Sequence, residues 1–118
     1  MTNKLDLKQF IGTENYYEGY LNTTWTDGIV YLAKNGCSWI ITDICSVVKT
    51  VESVKKEPFV AIKLIRKGTD KATAIYTDGN EKELFKQEYK YTDIWDRINE
   101  DKLLFFYTNN VLMINSEY

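Results

Sequence analysis

The spacing of apolar residues changes once along this chain, from a helical period before Pro58 to a strand period after it. Between Thr26 and Val51, apolar residues recur every three or four positions, which is the spacing of one helix face. Beyond Pro58, apolar and polar residues alternate over short segments bounded by glycine, asparagine and aspartate, as in half-buried strands. The two periods together predict an α+β fold in which helices cover a sheet.

The helical region predicts a hairpin of two helices. Ile29, Leu32 and Ala33 lie on one face of the first helix, Gly36 supplies its C-terminal stop, and Ser38 supplies an N-cap for the second. The second helix carries a longer apolar stripe, formed by Ile40, Ile44, Val47, Val48 and Val51. We therefore expect an N-terminal helical hairpin whose second helix packs on the sheet.

Five later segments alternate as strands do and predict an antiparallel sheet of about five strands. They are residues 59–66, 72–77, 84–91, 102–107 and 111–115. Residues 103–106 are apolar on both faces, so the last two strands should lie deep in the sheet. An apolar strand edge after Tyr107 could pair two copies of the chain as a homodimer.

Length and composition bound the class of protein. The 118 residues fit one domain, residues 1–118, and no apolar run approaches the ~18–20 residues of a membrane-spanning helix. The first ten residues lack the apolar segment of a secretory signal, so we expect a cytoplasmic location in a bacterial host cell and no membrane partner. Because the chain has no histidine, Ser-His-Asp triads, Cys-His dyads and histidine-containing zinc sites are excluded.

Two groups of side chains are candidate contacts to a partner. The basic group consists of Lys55, Lys56, Lys63, Arg66, Lys67, Lys86 and Lys90. If the strands place these side by side, a phosphate backbone could follow them across the sheet, although the net charge of −2 argues against binding through bulk charge. The aromatic group is Tyr16, Tyr17 and Tyr20, which could stack on bases or anchor a protein partner. Solubilising lysines and rings that cover the flank of the core are the alternatives.

Carboxylates suggest two further hypotheses. Asp78 followed by Glu88 and Lys90 imitates the D…E-x-K arrangement of metal-dependent nucleases, although strand alternation also explains it. Thr-Asp pairs recur at predicted element boundaries, where both residues cap helices and turns. Convergence of Asp27, Asp78 and Asp93 would instead create a site for Mg²⁺ or Ca²⁺. We favour the structural interpretation and predict no catalytic residue, no metal and no cofactor.

The stretch T-D-G-I-V-Y-L-A at residues 26–33 and the closing S-E-Y at 116–118 resemble the signature of an uncharacterised family of small bacterial and phage proteins. Further matches lie at Trp39, Asp43, Ser46, residues 78–80, Gln87, residues 91–93 and residues 111–113. The resemblance implies a compact domain with no assigned activity, often encoded by phages or mobile elements. The resemblance favours an accessory role, such as blocking a host defence system, without naming a target.

Three functions therefore compete. The first is a non-enzymatic interaction protein that binds a host protein or ribonucleoprotein, for example a phage- or mobile-element-encoded inhibitor of a CRISPR effector or another defence nuclease. The second is an RNA- or DNA-binding module that uses a basic sheet face. The third is a Mg²⁺-dependent nuclease. We favour the first because it needs no catalytic residues and the sequence shows none.

Overall fold

Seven strands form one mixed sheet in the computed structural model, which describes residues 5–12 and 15–118. In chain order the strands are β1 (Tyr16–Glu18), β2 (Thr24–Thr26), β3 (Phe59–Arg66), β4 (Ala72–Thr77), β5 (Glu83–Tyr89), β6 (Lys102–Thr108) and β7 (Val111–Ile114). Across the sheet the order is β1-β2-β7-β6-β3-β4-β5. Strands β2 and β7 are parallel, and the other neighbouring strands are antiparallel. The α+β class is confirmed, but the described sheet has two more strands than predicted and one parallel pair.

Four α-helices accompany the sheet in the described part of the chain. They are α1 (Asp27–Leu32), α2 (Ser38–Thr50), α3 (Glu52–Lys55) and α4 (Ile94–Arg97). A π-helical turn, Ala33–Cys37, joins α1 directly to α2, so the predicted hairpin is wrong in this respect. Asn35 and Gly36 leave the helical conformation, Gly36 with a φ of 90°, so the predicted interruption at Gly36 is confirmed. Glycine adopts this φ without a steric penalty. A Cβ at Gly36 would lie 2.5 Å from Arg97 Nη1, so the absence of a side chain at Gly36 also leaves room for Arg97.

The long helix α2 covers one face of the sheet, which we call the covered face. The buried residues of α2 are Ile40, Ile41, Ile44, Cys45, Val47 and Val48. Four of the five residues of the predicted stripe are thus confirmed, whereas Val51 is half-buried and follows the helix as its C-terminal cap residue. The sheet residues in the same core are Val60, Ile62, Leu64, Ala72, Ala74, Tyr76, Leu103, Phe105, Leu112 and Ile114. Helices α1, α3 and α4 contribute to this core as well. The core therefore lies between the helices and a single face of the sheet.

Strand positions agree with the sequence best near the centre of the sheet. Strands β3 and β4 have the predicted bounds, and β6 lies between β7 and β3, as its apolar character predicts. The edge expected after Tyr107 is not free, because β7 pairs with β2 through Thr24 and Val111. The described sheet ends instead at β1 and β5. No helix in the described part of the chain is long and apolar enough to cross a membrane.

The two motifs that suggested a family lie against each other. The Glu117 carboxylate, only 4% exposed, accepts hydrogen bonds from Thr26 Oγ1 at 2.6 Å, from the Gly28 N–H at 3.0 Å and from the Ile114 N–H at 3.2 Å. A Cβ at Gly28 would stand 2.6 Å from Glu117 Oε1, so the motif glycine permits this close approach. The paired motifs thus connect the start of α1 to the residues after β7, which is a structural role.

Candidate interaction surface

The face of the sheet opposite α2 is the candidate surface, and we call it the open face. It is formed by the strand residues that alternate with the core residues, because successive side chains of a strand point to opposite faces. Its apolar members are Phe59, Ala61, Ile65, Ile75, Leu104, Phe106, Val111 and Met113. Of these, Met113 is buried and the others are half-buried. The face therefore presents an apolar area although the four helices pack on the other side.

Cross-strand register orders the open face into rows. Lys63 of β3 pairs with Leu104 of β6 on one side and with Ile75 of β4 on the other, and Ile75 pairs in turn with Lys86 of β5. A shallow groove of about 430 Å³ crosses the face, and Lys63, Ile75 and Leu104 contribute to its lining. The row thus combines two lysines with two large apolar side chains.

One end of the open face carries three aromatic rings in mutual contact. The ring centroids of Phe106 and Tyr118 lie 4.9 Å apart, those of Phe59 and Phe106 5.4 Å apart, and those of Phe59 and Tyr118 5.7 Å apart. The rings are inclined to one another by 40° to 64°, which are favourable orientations for aromatic pairs. Tyr118 is 70% exposed, so this cluster presents aromatic surface to solvent.

The basic candidates are divided between the two sides of the molecule. Lys63 and Lys86 share the open face, and Lys90 directly follows β5. Lys55 ends α3 and forms an ion pair with Glu52 at 2.9 Å, so it belongs to the helical layer. The structure therefore brings together Lys63 and Lys86 but does not form one continuous basic surface from all seven residues.

Three more basic candidates lie away from the row on the open face. Lys56 follows α3 as its C-terminal cap residue and is exposed. Arg66 ends β3, where its Nη1 lies 3.1 Å from Asp101 Oδ1 and its Nε donates to the Gly68 carbonyl at 2.9 Å. Lys67 follows in the exposed turn between β3 and β4. The Arg66 charge is thus already paired within the chain.

The aromatic candidates Tyr16, Tyr17 and Tyr20 are exposed. Exposure is compatible with both interpretations of these rings, contact with a partner and cover for the flank of the core. Tyr17 is also held locally, because its hydroxyl donates to Asp27 Oδ1 at 2.8 Å. This hydrogen bond raises the pKa of the Tyr17 phenol. Tyr16 and Tyr20 remain candidates for contact with a partner.

The nuclease constellation does not assemble. Glu88 pairs with Thr73 at one end of the β4–β5 hairpin, whereas Asp78 follows Thr77 at the other end. Four to five residues of strand separate the two positions, about 16 Å. Asp78 has a local role, since its Oδ1 accepts the Asn80 N–H at 2.8 Å within the turn.

The proposed cation site also fails to form. Among residues 5–12 and 15–118, no three histidine, cysteine, aspartate or glutamate side chains gather closely enough to hold a metal ion. Asp27, Asp78 and Asp93 therefore do not converge. Asp93 instead forms an ion pair with Arg97 at 2.9 Å, one turn further along α4. Thr77-Asp78 and Thr92-Asp93 thus act as local structural devices. Thr26 and Asp27 instead bond to the more distant residues Glu117 and Tyr17.

Sequence analysis missed the apolar part of the open face. A signal for it was present, because residues 103–106 are apolar on both faces of β6. That pattern predicts a central position for β6 in the sheet, which the structure confirms. It also implies that one of the two apolar rows of β6 lies on the face without helices. The pattern alone does not tell which of the two rows α2 covers.

Comparison with known proteins identifies a family of unknown function. The model of a family described as a family of unknown function (DUF6876) matches residues 1–118. No curated protein and no solved structure matches the chain. The open face, with its geometry and charges, is thus the main source of functional inference.

Proposed function

Since the chain belongs to the family of unknown function DUF6876, which assigns no activity, we propose that it is a non-enzymatic interaction protein whose open face binds a partner protein. The observation that carries the proposal is the apolar area that β3, β4 and β6 form on the open face. An antiparallel sheet with one solvated face normally presents polar side chains there. A contiguous apolar area on such a face is typical of a binding surface.

The distribution of charge on the open face defines the partner chemistry. Lys63 lies among the apolar residues, and Lys86 and Glu88 lie at the β5 edge. Lys102 begins β6 opposite Ile65. An apolar centre with a charged margin is the usual anatomy of a protein interface. The matching partner surface offers apolar side chains to the groove and carboxylates to the lysines.

Our finer proposal is that the partner is a host defence nuclease or a CRISPR ribonucleoprotein and that the protein is an inhibitor encoded by a phage or mobile element. The resemblance of residues 26–33 and 116–118 to small bacterial and phage proteins supports this choice. Inhibition by occlusion requires no catalytic group, and the candidate nuclease carboxylates lie apart.

A capture experiment tests the proposal. The tagged wild-type protein and an Ile75→Thr/Leu104→Thr variant are used to isolate partners from a bacterial host with active defence systems, with and without RNase, and the products are identified by mass spectrometry. Threonine keeps a high strand propensity while removing apolar surface. A Lys55→Thr/Lys56→Thr variant is the matched control because it changes the helical layer. Circular dichroism verifies that all three proteins fold.

We expect one stoichiometric nuclease or ribonucleoprotein with the wild type and the control, and its loss with the open-face variant. Equal recovery by the open-face variant would contradict the proposal. Loss of the partner after RNase treatment would show that RNA forms part of the target. A second copy of the chain is the alternative occupant of the open face, and light scattering of the purified proteins detects it. If the wild type is a dimer and the open-face variant is a monomer, the open face is a homodimer interface.

RNA binding by the open face is the second candidate function. Phe59, Phe106 and Tyr118 share one side of the sheet with Lys63 and Lys86. Rings on a sheet surface stack with unpaired bases in other RNA-binding domains, and lysines neutralise phosphates.

The anisotropy of a labelled single-stranded RNA, titrated at several salt concentrations, tests this candidate. Affinity should fall steeply with salt, and Lys63→Glu and Lys86→Glu should each weaken it. Arg66→Glu is the control, because Arg66 is already paired with Asp101. Binding that is insensitive to salt and to both lysine variants would exclude this function.

A further inference from the structure

A second surface lies on the helical side of the molecule, where α2 passes the covered face of β5. A cleft of about 620 Å³ is lined there by Tyr20, Trp39, Asp43, Ser46, Gln87 and Tyr89, together with Thr42. The cleft is shallow and open to solvent, and it has room for a small organic group. Gln87 and Tyr89 pair with the buried residues Ala74 and Ala72, so they point away from the open face. The cleft is thus separate from the proposed protein interface.

Local helix geometry builds one wall of the cleft. Trp39, Thr42, Asp43 and Ser46 are spaced by three and four residues, which places them on one face of α2. The apolar stripe of α2 is directed into the core, so this polar and aromatic face is left towards solvent. Trp39 meets Tyr89 edge to face, with the ring centroids 5.4 Å apart. That contact joins the helix wall to the strand wall.

Asp43 is the only aspartate, glutamate, lysine or arginine among the described residues that line the cleft. It takes part in none of the three ion pairs formed within residues 5–12 and 15–118. The Tyr89 hydroxyl donates to Asp43 Oδ2, and burial together with this hydrogen bond raises the pKa of Tyr89, so Tyr89 stays a neutral donor. Within the described residues the half-buried carboxylate is therefore hydrogen-bonded to a neutral donor and has no cationic partner.

Three aromatic rings line the cleft with this carboxylate: Tyr20, Trp39 and Tyr89. The faces of such rings attract organic cations. A carboxylate adds a direct charge partner. Anions do not fit, because the described residues that line the cleft include no lysine or arginine, and one carboxylate is too few for a divalent metal.

The geometry points to a binding site for an organic monocation, an alkylammonium or guanidinium group with an apolar body. The ammonium lies beside Asp43 and its alkyl groups contact the rings of Tyr20 and Trp39. Two sources share this chemistry: a free amine and the side chain of lysine or arginine in a peptide. The site is independent of the open face, and binding here changes nothing in the function proposed above.

Calorimetric titration with matched probes tests the site. Choline represents a free cation, 3,3-dimethyl-1-butanol is its neutral isostere, and N-acetyl-Gly-Lys-Gly-amide represents a side chain. We expect saturable binding of choline or the peptide and none of the alcohol. The tighter of the two cationic probes identifies the source. Absence of saturable binding for both cations, or equal affinity for the alcohol, would overturn the inference.

Substitutions locate the binding. Asp43→Asn removes the charge and should weaken binding at least about tenfold, as expected when a charge pair loses one member. Tyr20→Ala alters an exposed ring on a short 3₁₀ turn and should weaken binding about fivefold without threatening the fold. Asp70→Asn, in the exposed turn between β3 and β4, is the control and should bind as the wild type does. Wild-type affinity in both cleft variants would refute the assignment.

Discussion

Neighbouring phenylalanines of β6 show the difference between the two faces of the sheet. Phe105 lies fully buried in the core beneath the helices, whereas Phe106 lies half-buried on the open face beside Phe59 and Tyr118. Both side chains belong to one strand with apolar residues on both sides. The apolar residues of the covered face stabilise the fold because they are buried. Those of the open face leave part of their apolar area exposed. Apolar residues on a strand thus serve stability or recognition according to the face they occupy.

Truncation of these two rings should separate the faces most clearly. Phe105→Ala should lower the free energy of unfolding by roughly 3–5 kcal/mol, because it leaves a cavity in the core. Phe106→Ala should cost about 1 kcal/mol, since it loses partial burial and ring contacts only. Urea unfolding of both variants measures the difference. Equal costs would mean that the open face is buried in solution, for example against a second copy.

An isoleucine pair tests the same contrast with a smaller side chain. Ile44→Ala removes a fully buried residue from the α2 stripe and should cost roughly 2–5 kcal/mol. Ile75→Ala changes a half-buried residue of the open face and should cost about 1 kcal/mol. Thermal and urea unfolding report both values. A small loss for Ile44→Ala would show that α2 does not pack as described.

Two tyrosines refine the description of the covered face itself. The buried Tyr76 hydroxyl has no hydrogen-bond partner within the described residues, so Tyr76→Phe should raise the free energy of unfolding by about 1 kcal/mol. Tyr89→Phe removes the hydrogen bond to Asp43 and should lower it by about 1–2 kcal/mol. Urea unfolding compares the two single-atom changes. Destabilisation by Tyr76→Phe would reveal a partner for that hydroxyl, such as a bound water.

A further test of the covered face concerns the pH dependence of its stability. Burial raises the pKa of the Cys37 thiol to about 11 from an ordinary value of 9.0. The folded protein therefore holds this proton more tightly than the unfolded chain does. The resulting stability is complete below pH 9 and is lost as the pH rises through 11. Burial also raises the pKa values of Tyr76 and Tyr89, which adds to the decline at high pH.

Unfolding in urea between pH 8 and pH 11 measures this decline. Cys37→Ala is the matched variant, because it keeps both tyrosines and removes the thiol. The free energy of unfolding should fall less steeply with pH in Cys37→Ala than in the wild type. Parallel curves would show that Cys37 does not titrate with the raised pKa.

Predictions from local pattern succeeded where one segment carries its own signal. Strands β3 and β4 and the stripe of α2 follow from periods of two and about 3.6 residues, which reflect the geometry of a single strand or helix. The short strands β1 and β2 were missed because three residues show no alternation. The strand character of β2 depends on a partner far along the chain, as in the pair of Trp25 with Leu112, and β1 pairs in turn with β2.

The candidate sites follow the same division. Lys63 and Lys86 lie on one face of the sheet, as the hypothesis of a basic sheet face requires, because β3, β4 and β5 are connected in simple antiparallel order. Arg66 and Lys55 could not be separated from them by spacing alone, since their ion pairs involve a distant aspartate and the geometry of α3. The cleft at Asp43 was also out of reach, because it joins α2 to β5.

By itself the sequence determined that this protein has an α+β fold with a covered sheet, since helical and strand periods are local properties of the chain. It also excluded histidine chemistry. The tertiary structure alone decided which apolar face remains open, that Glu117 joins Gly28, and that Asp43 meets Tyr89. Each of these depends on contacts between residues distant in sequence, and those contacts form only when the whole sheet has been assembled.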